Sequence, residues 1–136
     1  MPKVLFICTG NSIRSQMAEG LMETLGGDDW EVHSGGSIGS FVHPLAVRAM
    51  SEIGIDISHH TSKSVLQFLN EEFDYVITLC DFAAASCPSI PGKGKRLLWP
   101  IDDPVGAVGT PEEKMVFFRK ARDEIKARIE SFHKSL

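Results

Sequence analysis

The chain alternates between short, unbroken apolar runs and longer stretches where apolar residues return every three to four positions. Val4-Leu5-Phe6-Ile7 has no polar interruption, the mark of a strand covered on both faces. Met17, Ala18, Leu21, Met22 and Leu25 then recur at helical spacing, and Gly26-Gly27 supplies a stop. Residues 31–34 read as a second strand, followed by a loop holding Gly35, Gly36 and Gly39. Pro44 opens a helix with an apolar stripe of Leu45, Ala49, Met50 and Ile53, ended by Gly54. Val65, Leu66, Leu69 and Phe73 predict a third helix before a strongly apolar strand at 75–79. A last strand is expected at 96–99. Thr110-Pro111-Glu112-Glu113 combines a capping box with a first-turn proline. The long helix it starts has Phe118, Ala121, Ile125, Ile129 and Phe132 as its core face, and both members of the Phe117-Phe118 pair are expected in the core.

This alternation predicts an α/β fold, a doubly wound four-stranded parallel sheet with helices on both faces, forming a single domain over residues 1–136. Ligands of such sheets gather at the carboxyl ends of the strands. Cys8, Cys80 and the Asp102-Asp103-Pro104 turn all map to that end.

Composition narrows the function classes. With 43% apolar residues, 24% charged residues and a net charge of −4, the chain has neither a nucleic-acid-binding nor a membrane-surface character. The apolar stretch before Thr9 is too short for a signal peptide or a spanning helix, so the cytoplasm is the expected location. A monomer is the default for this size. In the cytoplasm three cysteines point to chemistry rather than to structural disulfides.

The stretch Cys8-Thr9-Gly10-Asn11-Ser12-Ile13-Arg14-Ser15 lies between the first strand and the first helix. The first amides of a helix lack intrahelical partners, and the dipole places partial positive charge there. Gly10 permits a tight loop whose amides converge on an anion. Arg14 adds a planar fork of donors suited to phosphate or arsenate oxygens. Such surroundings favour a thiolate at Cys8, since cysteines so placed fall from about 8.5 to roughly 3.5–7.5 in pKa. The Ser15 hydroxyl is a further donor to that sulfur. Thr9, Gly10, Asn11, Ser12, Ile13 and Arg14 are therefore the expected oxyanion-binding residues, with Cys8 as nucleophile.

Cys80 and Cys87 share one short segment rich in alanine. In a regular helix their separation would be about 10 Å, beyond the roughly 7 Å that a disulfide permits between Cα atoms. Pairing requires the segment to buckle. Either the two form a relay with the active site, or they are small buried residues.

These pieces together resemble the arsenate reductases built on the low-molecular-weight phosphotyrosine phosphatase fold, the class usually recycled by thioredoxin. The resemblance rests on residues 8–19, His60-Thr61-Ser62, 76–80, Cys87-Pro88 and 99–104. It implies that Cys8 attacks arsenate held by the loop and Arg14, and that Asp103 is the general acid. It further implies that Cys80 takes over the bond to Cys8 and that Cys87 then closes a Cys80–Cys87 disulfide, reduced by thioredoxin, glutaredoxin or a small thiol. No cofactor is implied. Some relatives bind potassium through an Asn, a Glu, a Ser and an Asp. Asn11, Glu19 and Ser34 match the first three, but Lys63 stands at the fourth position, so its ammonium is expected in place of a cation and no metal is assigned. The relative phosphatases usually carry proline where Gln16 stands and lack the Cys80–Cys87 pair. A low-molecular-weight protein-tyrosine phosphatase, needing only Cys8, Arg14 and Asp103, is the alternative, and a redox-responsive binding protein is a third reading.

Overall fold

The computed structural model describes residues 1–37, 39–79 and 94–136. Its sheet has four parallel strands: β1 (Lys3–Cys8), β2 (Glu31–Gly36), β3 (Tyr75–Thr78) and β4 (Lys95–Leu98), in the order β2-β1-β3-β4. β1 pairs with β2 from Lys3↔Glu31 to Cys8↔Gly36, and with β3 from Val4↔Tyr75 to Ile7↔Thr78. The chain thus leaves β1 for one flank and returns on the other. That reversal opens a crevice at the carboxyl end of β1, where ligands of open parallel sheets bind. Cys8 is the last residue of that strand.

Alternate residues of β1 face opposite layers. Val4, Phe6 and Cys8 join Met17, Met22, Phe118 and Ile125 in one buried cluster. That layer contains α1 (Arg14–Gly26), α2 (Pro44–Ser51) and α3 (Pro111–Lys134). Leu5 and Ile7 join Val65, Phe68, Phe73 and Val76 in the other. Phe132 packs against Trp30, Tyr75 and Trp99 with ring centroids 5.8, 5.0 and 5.7 Å away, pinning the end of α3 to the sheet. Each such pair is worth about 0.5–1.5 kcal/mol beyond the area it buries. At the other end of α3, Thr110 and Glu113 form both halves of the capping box. Between them Glu52 takes a two-pronged bond from Arg119 and another, at 2.9 Å, from Arg122. The Arg119 bonds hold its carboxyl at about 2, against the opposing effect of burial and with help from Arg122.

Four expectations change, the first being that Gly35 and Gly36 belong to β2, paired with Ile7 and Cys8, and not to the loop after it. Residues 65–73 do not form a helix: only a 3-10 turn, Val65–Phe68, is present. Two residues three apart suffice to cover the sheet there, and a 3-10 turn stacks i over i+3, which leaves Leu66 and Leu69 exposed. Leu25 is 41% exposed and lies off the buried face of α1. Phe117, 52% exposed, points away from the core that its neighbour Phe118 fills, because residues one apart on a helix do not share a face.

Candidate active site

The loop between β1 and α1 is shaped from outside. The carbonyl of Thr9 accepts from Ser37 N at 2.8 Å, that of Ser12 from His43 N at 3.0 Å and that of Ile13 from Met17 N at 2.9 Å. Gly10 O accepts from the hydroxyls of Ser40 and Ser62, at 2.9 and 3.2 Å. Asn11 O accepts from Gln16 Nε2 at 3.1 Å. The carbonyls from Thr9 to Ser12 are thus bonded away from the loop, while that of Ile13 points along α1, and planarity of the peptide group sends the N–H that follows each to the opposite side. Successive amides so aligned make an anion-binding concavity. No side chain caps α1 among the described residues, so its first amides remain open to the same space.

Asn11 has φ of 48°, a conformation asparagine tolerates better than most residues. Its side chain holds the loop together. Asn11 Oδ1 accepts from Lys63 N at 2.7 Å, which fixes Nδ2 as the donor to Ser15 Oγ (2.7 Å) and Ser34 Oγ (2.9 Å). Ser15 Oγ lies 2.8 Å from Cys8 Sγ. Because Ser15 already accepts from Asn11, its own proton is free for the sulfur. Cys8 is buried and is a free thiol.

Behind this lies a second tier. Gln16 Nε2 donates to Asn11 Oδ1 and to Thr61 O, at 3.0 and 3.1 Å, leaving Oε1 as the acceptor for His60 Nδ1 at 3.0 Å. The other ring nitrogen, Nε2, is 3.1 Å from Glu23 Oε1. Both nitrogens therefore face acceptors, as imidazolium requires. Burial opposes that charge, but the bond to Glu23 and the charges of Glu19 and Glu23 outweigh it, and His60 titrates above its ordinary value. The Ser34 hydroxyl donates a hydrogen bond to Glu19 Oε1. Lys63 Nζ reaches Thr61 O at 2.7 Å.

Arg14 is buried, with 3% of its surface exposed. Its Nη1 donates to Leu79 O (3.2 Å) and Ile101 O (3.0 Å), and its Nη2 to Asp103 Oδ2 (3.2 Å). Carbonyls just past two neighbouring strands thus aim the guanidinium. Asp103 also caps the 3-10 turn Pro104–Gly106, accepting from Val105 N at 3.0 Å. Cys8, Gly10, Arg14 and Asp103 all line one cavity of about 280 Å³. Cys80 and Cys87 lie outside the described residues.

The remaining walls come from residues that the sequence reading did not single out: Ser40, Phe41, His43 and Val105. Ser40, Phe41 and His43 precede α2 in a segment without periodicity, and only the Pro44 helix start hinted that it was fixed in place. Gly36 was visible as a loop glycine, but its role was not. A Cβ there would sit 2.7 Å from both Asn11 N and Thr9 O.

A buried thiol at the switch point of a parallel sheet, facing a ring of amides and a fixed guanidinium, defines a cysteine-dependent enzyme acting on tetrahedral oxyanions. Residues 3–136 match the low molecular weight phosphotyrosine protein phosphatase family, and the chain belongs to that family. It is 51% identical to the arsenate reductase of Halalkalibacterium halodurans over 129 residues, 95% of this chain and 93% of that protein. A solved structure of an arsenate reductase in its phosphate-binding state superposes with a TM-score of 0.81 at 37% identity, covering 97% of this chain and 96% of that one. The thioredoxin-dependent arsenate reductase of Corynebacterium glutamicum gives a TM-score of 0.69 at 34% identity, over 99% of this chain and 61% of that one.

Proposed function

We propose that this chain reduces arsenate to arsenite through Cys8, Cys80 and Cys87, with thioredoxin or a similar dithiol as the final reductant. The observation that carries the reading is a thiol on the floor of an amide-lined cradle, beside an arginine already bonded to a carboxylate. Support comes also from the curated and solved arsenate reductases the chain is similar to, one of them thioredoxin-dependent.

Arsenate docks on the loop amides and Arg14. The Cys8 thiolate attacks arsenic: an As–S bond forms, one As–O bond breaks, and Asp103 protonates the departing oxygen so that it leaves as water. The arriving anion competes with Asp103 for the guanidinium, which frees the carboxyl to act as an acid. Cys80 thiolate then attacks Cys8 Sγ. The S–S bond forms, the As–S electron pair stays on arsenic, and arsenite departs. Cys87 attacks Cys80, releasing Cys8 and leaving a Cys80–Cys87 disulfide for the external dithiol. Leu79, the residue before Cys80, gives its carbonyl to Arg14, so the strand leading to the second thiol ends at the oxyanion site. Among the described residues no helix is long and apolar enough to cross a membrane.

Arsenic speciation in the presence of a dithiol reductant tests this. Arsenite accumulates over many turnovers with the wild type, fails to form with Cys8→Ser or Cys80→Ser, and stops at about one equivalent with Cys87→Ser, whose Cys8–Cys80 bond is not resolved from within. If the chain were a phosphatase alone, as its family allows, aryl phosphate would be turned over, arsenite would never appear, and the Cys80 and Cys87 variants would be fully active.

A further inference from the structure

We propose that Glu19, Glu23 and His60 form a binding site for a borderline divalent metal ion such as Zn²⁺, separate from the Cys8 cavity and independent of the function proposed above. None of the three lines that cavity. One oxygen from each carboxylate and one ring nitrogen lie within 4.8 Å of one another. Glu19 and Glu23 are four residues apart on α1 and so share a face. His60 reaches that face from the segment after α2, where its backbone N donates to Ile57 O at 3.0 Å.

The ring is prepared for a metal by its far side. Gln16 Nε2 is committed to Asn11 Oδ1 and Thr61 O, so Gln16 Oε1 must accept, and it accepts from His60 Nδ1 at 3.0 Å. That bond keeps the proton on Nδ1 and leaves Nε2 as the coordinating nitrogen. Metal-bound histidines are held in this way, with the other ring N–H given to a fixed acceptor. Nε2 lies 3.1 Å from Glu23 Oε1. Zinc bonds of 2.0–2.2 Å put the donor atoms of a tetrahedral site about 3.3 Å apart, so Glu19 has at most about 1.5 Å to close. The ion displaces the Nε2 proton to water. The His60 side chain is 4% exposed and that of Glu23 47%, which gives an entry path from solvent and room for a water as fourth ligand.

A second trio, Glu31, His33 and Glu71, has similar spacing. It is already filled, because Lys3 Nζ lies 3.3 Å from Glu31 and 2.6 Å from Glu71. Among the described residues no lysine or arginine pairs with Glu19 or Glu23, whose partner is His60. The site also differs from the potassium position considered for Asn11, Glu19 and Ser34. There Asn11 Nδ2 donates to Ser34 Oγ, and Ser34 donates to Glu19 Oε1, so donors occupy the space. Glu19 Oε2, the oxygen 3.7 Å from the His60 ring, is the one left for the new site. A metal here ties α1 to the segment whose Thr61 O, Ser62 Oγ and Lys63 N hold the oxyanion loop.

Two measurements on the full-length chain test this. In the first, Cys8→Ser, Cys80→Ser and Cys87→Ser are combined so that no thiolate takes the ion, and the protein competes for Zn²⁺ with a chromogenic chelator. About one equivalent is retained. Adding Glu23→Gln weakens it at least about tenfold, whereas adding Glu130→Gln, on the exposed face of α3, leaves it unchanged. In the second, ¹⁵N NMR follows the imidazoles of the wild type as Zn²⁺ is added. The His60 Nε2 resonance moves and keeps moving until the site is full, and Glu23→Gln abolishes the shift. Failure of the cysteine-free protein to hold zinc, or equal affinity with Glu23→Gln, overturns the site. Should that protein not fold, the wild-type spectrum decides, and a His60 Nε2 signal that stays in place under excess Zn²⁺ overturns the proposal.

Discussion

Arg14 and Asp103, 89 residues apart in sequence, meet at 3.2 Å between Nη2 and Oδ2. In the proposed mechanism the residue that binds the oxyanion therefore positions the residue that protonates what leaves it. The same guanidinium is aimed by Leu79 O and Ile101 O, so its fork is committed before substrate arrives. Arg14→Lys substitutes a point charge that cannot satisfy both carbonyls and still reach an anion. The expected loss in kcat/KM for arsenate is about a hundredfold. Asp103→Asn keeps the shape but carries no proton to give. Steady-state kinetics should show kcat down by about 10²–10⁴ with KM little changed. An unchanged kcat in that variant removes Asp103 from the mechanism.

Gly36 presses the loop from below, with Asn11 N and Thr9 O each 2.7 Å and Cys8 O 3.0 Å from where a Cβ would stand. All three are backbone atoms, so nothing flexible can yield. Gly36→Ala is expected to cost about 1–3 kcal/mol in urea unfolding. It should weaken protection of Cys8 by phosphate at least about tenfold, because the displaced amides are those that bind the anion. Wild-type anion binding in this variant would show that the loop has slack.

Asn11→Ala removes donors and acceptors that serve Ser15, Ser34, Gln16 and Lys63 N together. It also places alanine at a φ of 48°. The combined cost should reach about 2–3 kcal/mol, read as a lower urea midpoint at constant slope.

How much of this was legible in the chain depends on range. The apolar run of β1, the Thr110 capping box and the buried face of α3 are local patterns, and residue spacing alone places them. Cys8 was legible because it ends a recognisable strand, Arg14 because it opens the helix that follows the loop, and Asp103 because an Asp-Pro turn follows the last strand. The 65–73 segment was misread because apolar residues at near-helical spacing also fit a single 3-10 turn with two exposed leucines. The Phe41–His43 wall carries no periodicity at all. The Gln16–His60 contact joins residues 44 apart, and only the packed fold brings them together. Gly36 reads as loop chemistry until the neighbouring backbone is seen.

His60 gives the stability of the fold a sign with pH. Its pKa is raised above 6.5 in the folded chain, through Glu23 and Glu19 against burial. The charged ring is therefore the stabilising form. Its contribution is complete below pH 6.5 and fades as pH climbs through the raised value. The urea midpoint of the wild type should fall across that window, and His60→Gln should flatten it. Equal slopes in the two proteins would place the dependence elsewhere.

Arsenate reduction by this chain turns on the order in which three thiols are used. The reduced protein is given one equivalent of arsenate without reductant, quenched with an alkylating agent, and its disulfides are mapped by mass spectrometry. A Cys80–Cys87 bond with Cys8 alkylated is the predicted product, and Cys87→Ser should instead trap Cys8–Cys80. All three cysteines recovered alkylated, with arsenate unchanged, would contradict the relay.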